Sequence, residues 1–263
     1  MNLHLKNKNV LLTASSAGIG KAAAELFIGE GSRVAISSSS KENLLKAVDE
    51  LKNLFGIEPL WEQCDINNPT EIEDLVKHVQ NNFGSIDILV NNCGGPTPGF
   101  FEDLNDDNWE HAFEQVLMSV VRFTRLVLPG MKEKNWGRII NITSLSVKQP
   151  VDNLLLSNSL RSSVTAFAKT LSSQVGKYNI TVNNVAPGYT LTGRLYELAV
   201  VRAKQKGVSH EEVLSSIAAD VPLKRLARPD EIASMIVYLA SEQASYITGQ
   251  TIVVDGGAIR ATY

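Results

Sequence analysis

Short runs of aliphatic and β-branched residues alternate along the chain with longer segments in which apolar residues recur at helical spacing. This alternation is typical of βαβ units, in which helices connect parallel strands. The short runs predict strands at residues 9–13, 33–37, 57–64, 86–91, 138–143, 180–185 and 251–254. The longer segments predict helices at residues 20–30, 41–55, 69–83, 107–134, 153–177 and 194–219 and from residue 229 onward. We therefore predict an α/β protein with a doubly wound parallel sheet.

Turn and cap residues support these boundaries. Gly31 directly follows the helix predicted at residues 20–30. Asn68 suits the N-cap, and Pro69 the first position, of the helix predicted at residues 69–83. No internal repeat and no linker of different composition divides the chain, so we expect residues 1–263 to form a single domain. The segment at residues 192–221 is longer than a tight helix-to-strand connection, and Val213, Leu214 and Ile217 give it an amphipathic pattern. We therefore expect this segment to form a mobile helical lid.

Composition excludes several classes of protein. The 263 residues are 44% hydrophobic, and 25 Lys and Arg against 28 Asp and Glu give a net charge of −3, which fits a globular domain with a sizeable core. The mildly acidic balance, without a basic cluster, argues against nucleic acid or an anionic membrane as a partner. Apolar runs are too short to cross a bilayer and the first residues lack the core of a signal peptide, so we expect a cytoplasmic location.

Cysteine and histidine positions indicate no metal site and no disulfide. Cys64 and Cys93 do not have the spacing of zinc ligands, and two cysteines in a chain of this length fit a reducing compartment. The histidines are scattered without an i, i+4 pair. We therefore expect a site that contains no metal.

The turn after the first predicted strand is the first candidate binding site. It reads TASSAGIG, and Gly18 and Gly20 would let a phosphate approach the free N–H groups at the start of the next helix. Glycine-rich turns also occur there without any ligand. Polar or small residues also lie at the ends of the third and fourth predicted strands, namely Asp65, Asn91, Asn92 and Gly94. Since ligands bind at the carboxyl ends of parallel strands, these residues support the ligand interpretation.

Several motifs in order resemble the short-chain dehydrogenase/reductase family over essentially the whole chain. TASSAGIG is similar to the family's TGxxxGxG turn, NNCG to its NNAG, GRIINITS to its serine strand, NNVAPGYTLT to its PG motif and TGQTIVVDGG to its last strand. The chain most resembles members of the 3-oxoacyl-[acyl-carrier-protein] reductase type. The resemblance implies a Rossmann-type, three-layer sandwich with a seven-stranded parallel sheet, a nicotinamide dinucleotide cofactor and a homotetramer formed through helices 107–134 and 153–177.

The resemblance also implies which residues contact the cofactor. The diphosphate would lie against Thr13, Ser15, Gly18, Ile19 and Gly20, the adenine against Asp65 and Ile66, the adenosine ribose side against Asn92, Cys93 and Gly94, and the nicotinamide end against Pro187, Gly188, Thr190 and Thr192. One position departs from the family pattern, because Ala14 replaces the first glycine. If that position requires a positive φ, the methyl group costs about 1 kcal/mol or shifts the turn.

The end of the second strand bears on the choice between NADP and NAD. An acid there would bind the ribose of NAD and repel a 2′-phosphate. The chain has serines instead, at residues 37–40, so Ser38 and Ser39, with Lys41 and Arg33 nearby, favour NADP, with NAD as the alternative. The serines also admit a structural interpretation, since Ser39 and Glu42 fit a capping box for the next helix. Ala17 weakens the preference for NADP, because NADP-using relatives often have a basic residue there.

The catalytic positions depart most from the family, which uses a Tyr to transfer the proton, a Lys one turn later, a Ser that orients the substrate oxygen and an upstream Asn. Ser144 matches the Ser, while the motif intervals place Ser157, Arg161 and Val116 at the Tyr, Lys and Asn positions. A serine is a weaker acid than a phenol, and Arg161 can bind ribose or stabilise charge but cannot relay a proton.

Other residues and other interpretations remain open at this point. Ser157 and Arg161 fit surface positions on a helix as well as a pocket. Tyr189 or Lys148 would supply the proton if either side chain turned inward, although a loop Tyr more often packs and a loop Lys is more often solvated. Cys93 fits a small buried hydrophobe better than a nucleophile.

Three hypotheses about function follow. The first is an NADP-dependent oxidoreductase that acts on a small carbonyl/alcohol pair or an acyl thioester, with Ser144, Ser157 and Arg161 in an atypical active site. The second is a catalytically inactive dinucleotide-binding sensor or partner subunit. The third is a protein that binds another nucleotide-like ligand, which the Ala14 departure allows. For the tetramer, the alternative is that Val120, Val121, Phe123 and Val164 belong to the core of the single chain.

Overall fold

A computed structural model describes residues 2–262 and contains one parallel sheet with the strand order β3-β2-β1-β4-β5-β6-β7. The strands are β1 Asn9–Leu12, β2 Arg33–Ser38, β3 Leu60–Gln63, β4 Ile88–Asn91, β5 Gly137–Ile142, β6 Ile180–Pro187 and β7 Thr251–Val254. The helices are α1 Gly18–Gly29, α2 Lys41–Phe55, α3 Pro69–Phe83, α4 Asp106–Phe113, α5 Ser119–Lys134, α6 Leu155–Val175, α7 Gly193–Lys206, α8 His210–Asp220 and α9 Pro229–Ala240.

Helices cover both faces of the sheet, so the central strands are buried on both sides. Leu11 on β1 packs into an apolar cluster with α3, α5 and α6, whereas its neighbours Val10 and Leu12 pack into a second cluster with α1, α2 and α9. This alternation follows from the two-residue period of a strand. The predicted doubly wound, three-layer α/β fold with seven parallel strands is confirmed.

Local signals set several boundaries as predicted. The Asn68 side chain accepts hydrogen bonds from the first turn of α3, and Pro69 is the first residue of that helix. Two interpretations need correction. Ser40, not Ser39, caps α2, because its hydroxyl accepts from the N–H of Asn43 at 3.3 Å. The helix predicted at 107–134 is interrupted by a π-helical turn at Glu114–Met118, between α4 and α5.

The segment predicted as one helix at 194–219 is two helices, since α7 ends at Lys206 and α8 begins at His210. Gly207 stops α7 in a left-handed conformation with φ 67°, and Ser209 caps α8. The two helices share a small apolar cluster of their own, formed by Ala199, Ala203 and Val213 with Leu214 and Ile217 packed against it. The α7–α8 pair therefore packs largely on itself.

Candidate functional site

The carboxyl ends of all seven strands lie on one edge of the sheet because every pairing is parallel. The connections leave β1 in opposite directions, since β1 pairs with β2 on one side and with β4 on the other. In open α/β sheets, the crevice beside such a reversal is where ligands bind. The loops that follow β1 and β4 meet here.

The turn between β1 and α1 has the backbone that the glycine pattern predicted. Ala14 has φ +45° and Gly18 has φ +56°, both in the left-handed region. Ala17 is the N-cap of α1 and provides no side-chain hydrogen bond, and the first turn contains no acidic residue. The N–H groups at this helix end therefore have no side-chain cap, and the helix dipole favours an anion beside them. Ile19 is partly buried against the core.

Thr13 and Ser15 hold this turn in place. The Thr13 hydroxyl donates to the Asn92 carbonyl at 2.7 Å and accepts from the Asn92 N–H at 2.8 Å. The Ser15 hydroxyl donates to the Leu12 carbonyl at 2.9 Å, and Ser15 is fully buried. A Cβ on Gly20 would lie 2.9 Å from Ser15 Cα, so no other residue allows this packing. The polar hydrogens of Thr13 and Ser15 thus fix the turn rather than face a ligand.

Serine hydroxyls cluster at the end of β2. The Ser16 and Ser38 hydroxyl oxygens lie 3.0 Å apart, and the Ser38 oxygen also accepts from the Ser40 N–H at 3.3 Å. Ser39 is exposed, with its carbonyl bonded to the Gln63 side chain. Ser16 was not predicted as a site residue, because only the fold brings it beside Ser38.

The expectation that Arg33 lies near these serines is wrong. Arg33 begins β2 and Ser38 ends it, which separates the two Cα atoms by roughly 16 Å at about 3.3 Å per residue. The Arg33 guanidinium instead donates to the Asn82 carbonyl at 2.9 Å and stacks on Phe83. Lys41 is exposed at the start of α2 and is the cation closest to the serines along the chain.

The residues predicted on the adenine side lie after β3. Ile66 is buried in the apolar cluster on one face of the sheet. The Asp65 carboxylate accepts from the Asn67 N–H at 3.0 Å and from the Asn67 side chain at 2.8 Å, which closes the turn before α3. Asp65 is half-buried, so part of its side chain faces solvent at this edge of the sheet.

The loop after β6 crosses the crevice toward the first turn of α1. Pro187 ends β6, and a Cβ on Gly188 would lie 2.5 Å from Asp255 Cα, so the strand end needs glycine there. Thr190 is buried and donates to the Gly188 carbonyl at 3.0 Å. Thr192 caps α7, and its methyl carbon would be 3.1 Å from a Cβ on Gly18. The predicted diphosphate turn and the predicted nicotinamide loop are therefore in contact.

Ser144 follows β5 and caps a short 3₁₀ turn. Its hydroxyl oxygen accepts from the Ser146 N–H at 3.1 Å, and Ser144 is only half-buried. Within residues 2–262 no acceptor takes the Ser144 hydroxyl proton, so that proton is available to a ligand. Ser157, on α6, is 7% exposed, and its hydroxyl has no hydrogen-bond partner in the described part of the chain. The Ser157 oxygen is not among the fully buried side-chain atoms that lack a partner, so solvent or a ligand can reach it.

Arg161 lies one turn after Ser157 on α6 and is 8% exposed. Its Nη1 atom donates to the carbonyls of Ile142 and Thr143 at 2.9 and 3.0 Å. Its Nη2 atom lies 3.4 Å from the Gly94 carbonyl and 3.8 Å from Cys93 Sγ. The guanidinium therefore ties the end of β5 to the loop after β4, a role that the sequence did not predict. Every one of these acceptors is uncharged.

Val116 lies in the π-helical turn and is 1% exposed. It belongs to an apolar cluster that includes Leu156 and Leu160 of α6, and Cys93 packs against this cluster. The side of α6 that faces this cluster is therefore lined by apolar side chains. The half-buried position of Cys93 fits the interpretation as a small hydrophobe.

Tyr189 does not face this group of residues. It lines a cavity of about 100 Å³ with Leu223 and Asp255 and another of about 400 Å³ at the α7–α8 pair. Neither cavity is lined by Ser144, Ser157 or Arg161. Lys148 is exposed after the 3₁₀ turn that Ser144 caps. The described structure therefore places neither candidate proton donor against Ser144.

A row of asparagines lies beneath the crevice. Asn91 donates to Asn141 at 2.9 Å, Asn141 donates to Asn184 at 2.9 Å, and Asn184 donates to the Thr251 hydroxyl at 3.0 Å. These residues are in register on four adjacent strands. The sequence singled out Asn91 as a residue at a strand end, but its partners on other strands required the fold.

Within residues 2–262 no helix is both long and apolar enough to span a bilayer. The same residues contain no group of three or more His, Cys, Asp or Glu side chains that could hold a metal.

Comparisons with known proteins agree with this geometry. A family profile described as enoyl-(acyl carrier protein) reductase matches residues 13–258. An uncharacterized oxidoreductase of Bacillus subtilis, YvrD, is 34% identical over 99% of this chain and 100% of its own length. The 3-oxoacyl-[acyl-carrier-protein] reductase FabG of Vibrio cholerae is 34% identical over 97% of this chain and 98% of its own. The structure of L-sorbose reductase from Gluconobacter frateurii, complexed with NADPH and L-sorbose, has a TM-score of 0.94 at 34% identity and covers 99% of this chain and 100% of that one.

Proposed function

The chain belongs to the short-chain dehydrogenase/reductase family, and from that premise we propose that it is an NADP(H)-dependent oxidoreductase that reduces a carbonyl group to an alcohol. The observation that carries the proposal is the crevice beside β1. It combines a helix end without a side-chain cap and a cluster of serine hydroxyls at the end of β2, and the same edge of the sheet carries Ser144, with a free hydroxyl proton, after β5.

The residues of the crevice fit NADP(H). The N–H groups at Gly18 and Ile19 suit the diphosphate, because α1 begins there with neither a side-chain cap nor an acidic residue in its first turn. Ser16 and Ser38 provide hydroxyls for a 2′-phosphate, with no acid at the end of β2 to repel it. The remaining contacts follow the resemblance and are assigned to Ser39, Asp65, Ile66, Asn92, Cys93, Gly94, Pro187, Gly188, Thr190 and Thr192. Thr13, Ser15 and Gly20 act by holding the turn.

The side chains near Ser144 have separate tasks. When bound, the reduced nicotinamide supplies a hydride to the carbonyl carbon. Ser144 donates its hydroxyl proton to the carbonyl oxygen as a hydrogen bond, because its own oxygen is already oriented by the Ser146 N–H. Arg161 contributes positive charge from a nearly dry position, which stabilises the alkoxide that develops as the hydride arrives. The unpartnered Ser157 hydroxyl contacts the substrate or passes a solvent proton to it.

We propose that this active site is atypical. Ser157 and Arg161 share one face of α6 at the spacing of the family's Tyr and Lys, and Val116 takes the position of its Asn. A serine in place of a phenol removes the acid that ordinarily protonates the alkoxide, so solvent supplies the proton instead. The expected consequence is slow turnover with intact cofactor binding.

Calorimetric titration with NADPH and NADH tests the first part of the proposal. NADPH is expected to bind at least about tenfold more tightly than NADH, which corresponds to about 1.4 kcal/mol. Absence of binding to both at millimolar concentration would reject a dinucleotide site altogether. Titration with adenine nucleotides in the same experiment tests the third hypothesis, another nucleotide-like ligand.

The double substitution Ser157→Tyr, Arg161→Lys tests the second part. Steady-state assays use a panel of ketones, sugars and 3-oxoacyl thioesters with NADPH. A measurable wild-type rate that falls in the double variant supports the atypical mechanism, since the chain's own residues then serve the reaction better than the usual pair. No wild-type turnover and a large gain in the variant would contradict it.

A second function, an inactive dinucleotide-binding sensor or partner subunit, is favoured by one specific observation. Neither Tyr189 nor Lys148 lies against Ser144, so neither candidate donor is placed to supply the proton. If NADPH binds while the entire substrate panel gives no turnover, the protein is best explained as such a subunit.

We also propose that residues 1–263 act as one dinucleotide-binding domain with a lid at 192–221. The separate apolar cluster of the α7–α8 pair supports a lid that moves as a unit. A homotetramer remains a prediction for light scattering to test. Val120, Phe123 and Val164 are buried within the single chain, which supports the alternative that they belong to its core, while Val121 is half-buried.

A further inference from the structure

A buried cation without an acidic partner lies at the centre of the proposed active site. Arg161 is 8% exposed, and among residues 2–262 no carboxylate lies within 4.0 Å of it. Its four Nη contacts go to three carbonyl oxygens and one thiol sulfur. Buried charges in proteins are nearly always paired. The positive charge of Arg161 is thus left without a counter-charge from the described residues.

A second arginine reaches the same loop from the lid. Arg194, in the first turn of α7, donates from Nη2 to the Pro96 carbonyl at 2.7 Å. Its guanidinium lies flat against Gly95, where an added Cβ would be 2.6 Å from Arg194 Nε. Arg161 contacts Gly94 of the same loop. The two guanidinium groups therefore contact one short loop, at residues 94–96.

Little negative charge compensates Arg194. Its nearest carboxylate is Glu197, at 3.6 Å from Nη1, and the Glu197 side chain is 70% exposed, so solvent weakens this pair. Burial lowers the pKa of the Arg194 guanidinium; Glu197 opposes this shift, whereas the positive charge of Arg161 adds to it. Two neighbouring cations repel each other, so an anion placed between them stabilises both.

We propose that Arg194, with Arg161 behind it, binds an oxyanion of the substrate, so that the substrate class is carbonyl compounds that carry a carboxylate. This assignment rests on the proposed function, because it places the anion beside the carbonyl that Ser144 orients. A carboxylate is the natural occupant, since a guanidinium presents paired N–H donors that match its two oxygens. Arg194 lies on the lid, so a bound carboxylate also ties the lid to the loop at residues 93–96.

The test compares each acid with its own methyl ester, which removes the negative charge but keeps the carbonyl. The pairs are pyruvate with methyl pyruvate and acetoacetate with methyl acetoacetate. For each pair, kcat/KM is measured with NADPH, and the affinity for acid and ester is measured by calorimetry, with and without saturating NADP. The variants are Arg194→Gln and, as a matched control with the same change in charge on the same helix, Lys204→Gln, because Lys204 is exposed.

The wild type is expected to favour at least one acid over its ester by tenfold or more. Arg194→Gln is expected to reduce that ratio at least tenfold, in kcat/KM or, where turnover is too slow, in affinity. Lys204→Gln is expected to leave it unchanged. A wild type with no preference for either acid, or an unchanged ratio in Arg194→Gln, overturns the proposal.

The affinity for NADPH separates this proposal from the proposed function. If Arg194→Gln weakens NADPH binding tenfold and leaves the acid-to-ester ratio alone, the arginine serves the cofactor and the substrate assignment is wrong. If the wild type binds no dinucleotide, the proposed function fails, and the titrations of acid and ester into the free protein still show whether the arginine pair binds a carboxylate.

Discussion

Asn141→Ala tests the asparagine row that supports the crevice. Asn141 is 1% exposed on β5 and is the only member of the row that both accepts from one asparagine and donates to another. Its truncation removes the acceptor of the Asn91 amide and the donor to the Asn184 carbonyl oxygen. Asn91 and Asn184 are 3% and 1% exposed, so water does not readily replace the lost partner.

The magnitude follows from these two orphaned groups. A buried polar group that loses its partner costs about 1 to 3 kcal/mol, so the two together give about 2 to 6 kcal/mol. The loss is large beside the ~5 to 15 kcal/mol that stabilises a typical domain. At about 2 °C per kcal/mol for a chain of this size, Tm falls by about 4 to 12 °C.

Urea unfolding followed by circular dichroism gives the free energy of unfolding of each variant. Thr251→Val, at the end of the row, is the matched control and is expected to cost about 1 kcal/mol, because one hydrogen bond is lost while Asn184 keeps a weak contact with the Gln250 carbonyl. The double variant Asn91→Ala, Asn141→Ala is expected to cost less than the sum of the single changes. A loss below about 1 kcal/mol for Asn141→Ala would refute the claim that the row carries stability.

Three further predictions concern the crevice and the core. Ala14→Gly is expected to raise stability by about 0.5 to 1 kcal/mol in urea unfolding, because relief of the left-handed methyl group exceeds the added chain entropy; a loss of stability would show that φ +45° carries no strain. Ser38→Asp is expected to weaken NADPH binding about tenfold or more while NADH binding is kept, and equal effects on both would contradict a 2′-phosphate at Ser38. Burial raises the pKa of the Cys64 thiol to about 12, so at pH 8 it holds almost no thiolate, and mass spectrometry is expected to show iodoacetamide adding to the half-buried Cys93 first and to Cys64 only after unfolding.

The order and type of the elements could be predicted because each depends on local patterns. Continuous apolar runs such as residues 88–90 identify strands buried on both faces, and Asn68 and Pro69 identify a helix start through their own chemistry. The first and last residues of the strands were harder to predict. The strand predicted at 57–64 spans only Leu60–Gln63, since a strand ends where its neighbour β2 stops pairing with it.

The site could be predicted only where one local segment forms it. The positive φ of Ala14 and the uncapped start of α1 follow from the glycine turn itself. The acceptors of Arg161 and the contact of Arg194 with Pro96 join segments that are distant in the sequence, so no spacing rule indicates them. A net charge of −3 for the chain likewise does not reveal that Arg161 and Arg194 contact the same loop.

The surroundings of Val116 bear on whether the proposed active site is a decayed one. Val116 packs in an apolar cluster with Leu156 and Leu160, which directly precede Ser157 and Arg161 on α6. An asparagine at this position would find no polar partner in the cluster, and a buried amide without one costs about 1 to 3 kcal/mol. Under the proposed function, the apolar packing, the buried Arg161 with its four acceptors and the Ser157 hydroxyl without a protein partner form one set, which is the pattern expected of a site with different chemistry.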